Sequence, residues 1–231
     1  MSFLNFAWNW LKSSAQWHGS SGIPVRILEH LLYSSVSLLV AALIAIPLGI
    51  LIGHTRRGVF LAINMANVWR AIPTLGFLIL MVILIGFATV VRIPVAVLIP
   101  LVALAIPPIL VNTYEGVAGV DADLKDAALG MGMTQWQLVR KVELPLATPL
   151  IILGLRTAAI FVVATATIAA YVAAGGLGRY IIDGLAANNY AEVAGGAVVV
   201  VVLALAVQLL FVGVRRLVVP EGLRLQARAS R

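Results

Sequence analysis

The sequence predicts an all-α membrane protein of about five transmembrane helices, with a cytoplasmic helix hairpin between the third and the fourth. Three observations carry this. Of the 231 residues, 62% are hydrophobic and 11% charged, whereas a soluble domain carries about 25% charged residues. The apolar residues gather into runs long enough to cross a bilayer, which takes about 20 mostly apolar residues per helix. One central polar stretch, Val120–Pro145, interrupts these runs. Three of the nine acids, Asp121, Asp123 and Asp126, lie close together in it, followed by the basic pair Arg140-Lys141.

The chain begins with Phe3, Phe6, Trp8, Trp10 and Trp17 around Lys12. It lacks the basic start and apolar core of a cleavable signal. Two readings stand for this segment: a helix lying in the membrane interface, or a frayed terminus. Residues 1–26 are taken as an N-terminal interfacial segment, 27–217 as one transmembrane domain and 218–231 as a basic cytoplasmic tail. The first span is roughly 30–53, closed by Arg56-Arg57. The second starts between Val59 and Pro73 and ends near Val91, its first third made polar by Asn64, Asn67 and Arg70. The third covers about 94–113, the fourth about 146–173 and the fifth about 193–217. No internal repeat or low-complexity linker divides them.

Between the third and fourth spans, local signals predict two short helices with a glycine joint. Asp121 or Asp123 offers a side-chain oxygen to an unpaired N–H at the first helix start. Leu124, Ala127, Ala128 and Met131 form an apolar stripe at 3–4 spacing. Gly130 and Gly132 allow the left-handed conformation that ends a helix. Thr134 with Gln137 is a capping box that restarts one. Leu138 and Val142 continue the second helix, and Pro145, lacking an N–H, is expected to end it.

Lys and Arg outside the spans set the orientation. Arg56, Arg57, Lys125, Arg140, Lys141, Arg215, Arg216, Arg224, Arg228 and Arg231 fall on one side, and Lys12, Arg26, Arg92 and Arg179 on the other. The richer side is cytoplasmic. This puts the hairpin and the C-terminus in the cytoplasm and the N-terminus outside. The net charge of +7 thus follows membrane topology, and no single basic face suggests nucleic acid.

Pro47, Pro73, Pro100, Pro107 and Pro108 sit inside spans, each removing a backbone hydrogen bond. They read either as kinked packing or, for Pro73, Pro107 and Pro108, as flex points of a pathway that opens to each side in turn. Ala158, Ala159, Ala164, Ala166, Ala169 and Ala170 allow close helix contact, in a tight bundle or a dimer seam. Arg156 lies about 16 Å along the helix from Pro145, deep enough to need a partner. Glu115, Glu143 and pathway water are the candidates, with snorkelling to the interface as the alternative. Residues 174–189, with Gly175-Gly176-Leu177-Gly178 and Asn188-Asn189, read as an outer turn near a gate or a receptor contact.

A phosphate-binding G-x-x-x-x-G-K-[ST] loop is absent: the lysines are Lys12, Lys125 and Lys141, and none follows a glycine. The chain has no cysteine, and its histidines, His18, His30 and His54, are far apart in sequence, so no metal-ligand spacing is present. No cofactor is expected, and no enzyme activity. A passive pore would need a ring of polar pathway groups, and a membrane-embedded enzyme would need more ionisable groups in the spans than Arg156 and Arg70 supply. If transport is uphill, its energy enters from another polypeptide.

The hairpin resembles the EAA loop of membrane permease subunits of bacterial ABC importers. The matching positions are Asp126, Ala127, Ala128, Gly132, Val142, Leu144 and Pro145, with Asp in place of the usual Glu and Val in place of Ile. H-L-x-x-S from His30, I-P-L-G-I-L-I from Ile46, A-N-V-x-x-x-I-P-T-L from Ala66, P-P-I-L-V-N-T-Y-E-G-V from Pro107, K-V-E-L-P-L-A from Lys141, G-L-R-T-A from Gly154 and A-A-G-G-L-G from Ala173 extend the likeness. They look like the quaternary-amine osmoprotectant branch (glycine betaine, choline, carnitine, proline betaine), and amino-acid importers of the methionine type share much of the layout. The resemblance implies a type I importer permease fold in the bacterial inner membrane. It also implies a second permease subunit, identical or paralogous, two ATPase subunits and an extracytoplasmic solute-binding protein. The segment around Asp126-Ala127-Ala128 would enter a groove on the ATPase, and Gly130, Gly132, Val142, Leu144 and Pro145 would pass its motion on. Pro73, Pro107, Pro108, Glu115 and Arg156 are the candidates for pathway or gating roles. The spans show no aromatic cage for a quaternary ammonium, so selectivity is expected mainly in the binding protein.

Overall fold

The computed structural model describes residues 3–90 and 93–218. Arg92, the tail beyond Val218 with Arg224, Arg228 and Arg231, and the side chains of Asn67 and Arg70 lie outside the described residues. The chain is helical almost throughout. Helices α1 (Phe3–Lys12), α2 (Ile23–Thr55), α3 (Val59–Ala71), α4 (Thr74–Ile85) and α5 (Val95–Ala118) precede the hairpin. The hairpin comprises α6 (Ala122–Gly130) and α7 (Gln135–Leu138). A wide π-turn, Val139–Glu143, leads into α8 (Leu144–Thr165), which tightens to a 3-10 stretch over Ala166–Val172. Helices α9 (Gly178–Ala186) and α10 (Tyr190–Val218) complete the chain, and a two-residue antiparallel ladder pairs Thr89 with Pro94 and Val90 with Ile93.

Among the described residues, four helices are long and apolar enough to span a bilayer: 23–55, 95–118, 135–172 and 190–218. The expected second span is two helices. It breaks at Ile72-Pro73, because Pro73 has no N–H to continue α3 and instead starts α4 with its carbonyl accepting Phe77 N–H at 2.9 Å. The 12 residues of α4 cover about 18 Å, short of a hydrocarbon core about 30 Å thick. Pro47, Pro107 and Pro108, by contrast, leave α2 and α5 unbroken.

The chain divides into two compact units. The first comprises Met1–Val40, Ile72–Ala105 and Ala159–Val207. Its core holds Trp10, Ile23, Leu177, Tyr180 and Val199. Trp10 meets Tyr180 edge to face at 5.0 Å between ring centroids, a favoured aromatic geometry. Gly195 and Gly196 of α10 lack the Cβ atoms that would collide with the Trp10 ring and with Tyr180 Cβ. So the N-terminal segment forms a helix with Trp10 inside, while Trp8 and Trp17 are exposed.

The same unit winds Gly175-Gly176-Leu177 onto the start of α2. His30 is fully buried; its Nε2 donates to Val163 O at 2.8 Å and its Nδ1 accepts from Leu177 N–H at 3.3 Å. Glu29 Oε2 accepts from Gly176 N–H at 2.7 Å and pairs with Arg26 at 2.9 Å, and Tyr33 OH accepts from Gly175 N–H at 3.2 Å. Gly176 has φ +88°, a conformation open to glycine. Residues 174–189, read above as a turn, contain α9, supported by an Arg179–Asp183 pair at 2.8 Å. Ala158 belongs to the second unit and Ala159, Ala166, Ala169 and Ala170 to the first, and all five are buried within the chain.

The second unit comprises Ala41–Ala71, Ile106–Ala158 and Gln208–Arg231. Here small residues bring α2 and α8 close to α5. A Cβ on Gly49 would lie 2.7 Å from Thr113 Cβ, one on Gly53 2.7 Å from Val117 Cβ, and one on Gly154 2.8 Å from Pro108 O. Membrane helices gain their packing from such close approach rather than from hydrophobic exclusion. Gly53→Ala is therefore expected to cost about 1–3 kcal/mol, read as a lower thermal unfolding midpoint in detergent, while Gly213→Ala, with open space at its Cβ, leaves the midpoint unchanged. His30→Ala strands the Leu177 amide and the Val163 carbonyl and is expected to lower the same midpoint by at least as much, since each stranded group costs about 1–3 kcal/mol.

Candidate functional site: the polar hairpin

The hairpin is built as its residues dictate locally. Asp121 caps α6, its side chain accepting from Asp123 N–H at 2.9 Å. At the other end Gly132 takes φ +84°, Gly132 N–H reaches Leu129 O at 2.9 Å and Met133 N–H reaches Ala128 O at 3.2 Å. This crossed pair of bonds closes a helix at a left-handed glycine. Gly130 remains helical, so Gly132 alone makes the joint. Thr134 and Gln137 form the reciprocal capping box that opens α7, Gln137 Oε1 accepting from Thr134 N–H at 2.8 Å.

Pro145 does not end the second helix. Helical structure runs unbroken from Gln135 to Val172. In the π-turn Leu144 N–H bonds back to Val139 O, five residues away instead of four. The widened turn makes room where a proline ring otherwise strikes the carbonyl four residues before it, and the missing N–H falls at the turn's exit. Val142, Leu144 and Pro145 are thus part of one rod that joins the hairpin to the fourth span.

The two motif alanines face opposite ways. Ala128 is buried, whereas Asp126 and Ala127 are exposed. The expected stripe is accordingly split: Leu124 and Met131 lie open beside Ala127, Met131 at 75% exposure, and Trp136 at 69% follows on α7. Asp123 and Asp126 flank this apolar surface.

Behind α6 lies a buried ionic junction. Glu143, fully buried in the π-turn, accepts from His54 Nδ1 of α2 at 2.8 Å through Oε2, and meets Lys125 Nζ of α6 at 2.8 Å through Oε1. Lys125 also donates to Val117 O at 3.3 Å, and Arg56, in a left-handed conformation at the end of α2, donates to Ala118 O. Two cations therefore cap the last carbonyls of α5, where the helix dipole favours positive charge. Charge bias and spacing alone had not connected Lys125, His54 and Glu143. The available signal was that Val139, Glu143 and Ala147 recur every four residues on the buried face, which leaves an acid on an apolar stripe.

The pathway candidates are not gathered into one site. Arg156 pairs with neither Glu115 nor Glu143: Glu143 is engaged by Lys125 and His54, and Glu115 is exposed. Its partner is Gln208, with Arg156 Nε donating to Gln208 Oε1 at 3.3 Å. Arg156 and Arg215 border a cavity of about 110 Å³ with Pro149, Leu153 and Phe211 among its walls. A glutamine on the facing helix offers the guanidinium one neutral acceptor and leaves its charge in place. Pro107 and Pro108 are buried in α5, where Asn112 Nδ2 donates to Pro108 O at 2.7 Å. Pro73 marks the break before α4.

Residues 45–221 match the family described as binding-protein-dependent transport system inner membrane component. Among curated proteins, the chain is 35% identical over 196 residues to the glycine betaine/carnitine/choline transport system permease protein OpuCB of Bacillus subtilis, covering 85% of this chain and 88% of that one. It is equally identical, with the same coverage, to the choline transport system permease protein OpuBB of that organism. It is 35% identical over 179 residues to the osmoprotectant import permease protein OsmY of Salmonella typhimurium, covering 77% and 74%. Among solved structures, the MetNI methionine ABC transporter in an inward-facing conformation aligns with a TM-score of 0.71 at 26% identity, covering 84% of this chain and 95% of that one. By the family match over most of its length and by these relatives, the chain is a multi-pass membrane protein belonging to the binding-protein-dependent transport system inner membrane components.

Proposed function

We propose that the chain is the pathway-forming subunit of an ATP-driven importer of osmoprotectants such as glycine betaine, choline, carnitine or proline betaine. The permease names of the 35% identical relatives support this class over amino-acid import, whose structural representative is 26% identical. Two such subunits, identical or paralogous, enclose the route. An extracytoplasmic binding protein delivers the solute, and two separate ATPase subunits hydrolyse the ATP, this chain being non-catalytic. The N-terminus lies outside and the C-terminus in the cytoplasm, with residues 1–26 at the interface and 218–231 as a cytoplasmic tail.

The observation that carries the reading is the outward face of the hairpin. Leu124, Ala127, Met131 and Trp136 are exposed at the end of the rod that enters the fourth span, with Asp123 and Asp126 at their edge. An exposed apolar patch rimmed by charge suits a protein partner. The small Ala127 lets a helix sink into a groove, and the acids suit basic residues on its rim. The ATPase is the occupant, since no phosphate-binding loop exists in this chain. Gly130, Gly132, Val142, Leu144 and Pro145 shape the docking element, while Pro73, Pro107, Pro108, Glu115 and Arg156 belong to the pathway and its gating.

Two measurements test this. Ala127→Asp is expected to leave the subunit inserted in the membrane but to abolish co-purification of the ATPase; undiminished co-purification contradicts the docking assignment. Cells lacking their own osmoprotectant importers, given the complete system, are expected to take up at least one of labelled glycine betaine, choline or carnitine at high salt, and to stop when ATP is depleted. Uptake of methionine alone, or uptake that survives ATP depletion, overturns the proposed function.

A further inference from the structure

We propose that Lys125 and Glu143 are positioning residues for ATP-driven transport: their buried contact, extended to His54, is the joint that makes α6 move with α2 and the α7–α8 rod. The inference rests on the reading that α6 receives the ATPase. Three features of the hairpin lead to it.

Helix α6 has little else to hold it. Within its nine residues only Ala128 is buried, and a methyl group slides easily over a surface. Lys125 stands next to Asp126 in sequence but points the other way, with its side chain 16% exposed and its ammonium 2.8 Å from a carboxylate that is 1% exposed. A push on the outer face of α6 thus arrives at Glu143 through a short contact between opposite charges in a site with little water to screen it.

Glu143 also sits where the rod is least regular. The π-turn substitutes five-residue for four-residue bonding, and such turns recur at functional sites in helices. A bend there would absorb motion from the hairpin before it reached the spanning part of α8. The two oxygens of Glu143 bind this turn on one side to α6 and on the other to His54 at the end of α2. The joint therefore holds three elements at the one point where the rod would otherwise yield.

Finally, the chemistry is costly if only cohesion were required. A buried ion pair recovers in attraction roughly what it loses in desolvation, and apolar residues of the same volume hold as well or better. What an ion pair adds is a fixed position. That is a property a coupling joint needs and a merely cohesive contact does not.

The test uses the complete transporter, with its ATPase and binding protein, in proteoliposomes, comparing glycine betaine moved per ATP hydrolysed. Lys125→Met and Glu143→Gln are expected to assemble with the ATPase and to hydrolyse ATP, while transport per ATP falls about tenfold, a factor typical of a broken coupled pair. Lys125→Arg is expected to restore the ratio, and the double variant is expected to be no worse than Glu143→Gln alone. If Glu143→Gln does not assemble, Lys125→Met with its arginine rescue decides the matter. A wild-type ratio in Lys125→Met overturns the proposal, as does a parallel loss of assembly, hydrolysis and transport that arginine does not restore, since that marks a structural role only. Failure of the unmodified complex to bind the ATPase or move glycine betaine would instead count against the function proposed above.

Discussion

A carboxylate with no access to water must be neutralised where it stands, and that requirement on Glu143 organises the hairpin. Removing one partner of such a group costs about 3–5 kcal/mol, because the remaining charge is left buried. Lys125 must therefore turn inward from α6, and His54 must close from α2. Once Lys125 is inward, the helical period sends Asp126 and Ala127 outward and brings Ala128 in. The buried charge and the face open to a partner thus lie on different sides of the same short helix.

The rest of the second unit supports that junction by close packing. Gly49, Gly53 and Gly154 let α2 and α8 approach α5, so the last carbonyls of α5 come within reach of Arg56 and Lys125. Arg56 and Lys125 each serve a helix end, and Lys125 serves the carboxylate as well. Local caps at Asp121, Gly132 and Thr134 shape the hairpin, but it is the ionic junction and the glycine contacts that tie it to the membrane helices. In the first unit a neutral-geometry counterpart exists in His30, which uses both ring nitrogens to hold backbone groups of two distant segments.

What the sequence made legible divides along the range of the interactions. The capping residues Asp121, Gly132, Thr134 and Gln137 act within five positions of themselves, and each performs as its spacing predicts. The apolar runs likewise mark the long helices, and the motif at 126–145 marks the family. Interactions between distant segments were not legible. His54 and Glu143 are 89 positions apart, and His30 and Val163 are 133 apart, so no local pattern joins them. Pro145 misled because a proline's effect depends on the turn before it, and here that turn is a π-turn closed by Leu144 N–H on Val139 O. The burial of Trp10 is likewise beyond local reach, since the glycine that receives it, Gly195, lies in α10.

The absence of cysteine from the chain permits a direct test of whether the hairpin and the membrane helices behave as one body. Spin labels at Ala122→Cys on the hairpin and Leu51→Cys on α2, both exposed, give one distance within the subunit and, in the assembled transporter, a second between subunits. The coupled-joint mechanism predicts that ATP binding changes the distance between subunits while the distance within the subunit keeps the same mean and width. A change in the internal distance by several ångströms, with the separation between subunits constant, would contradict it.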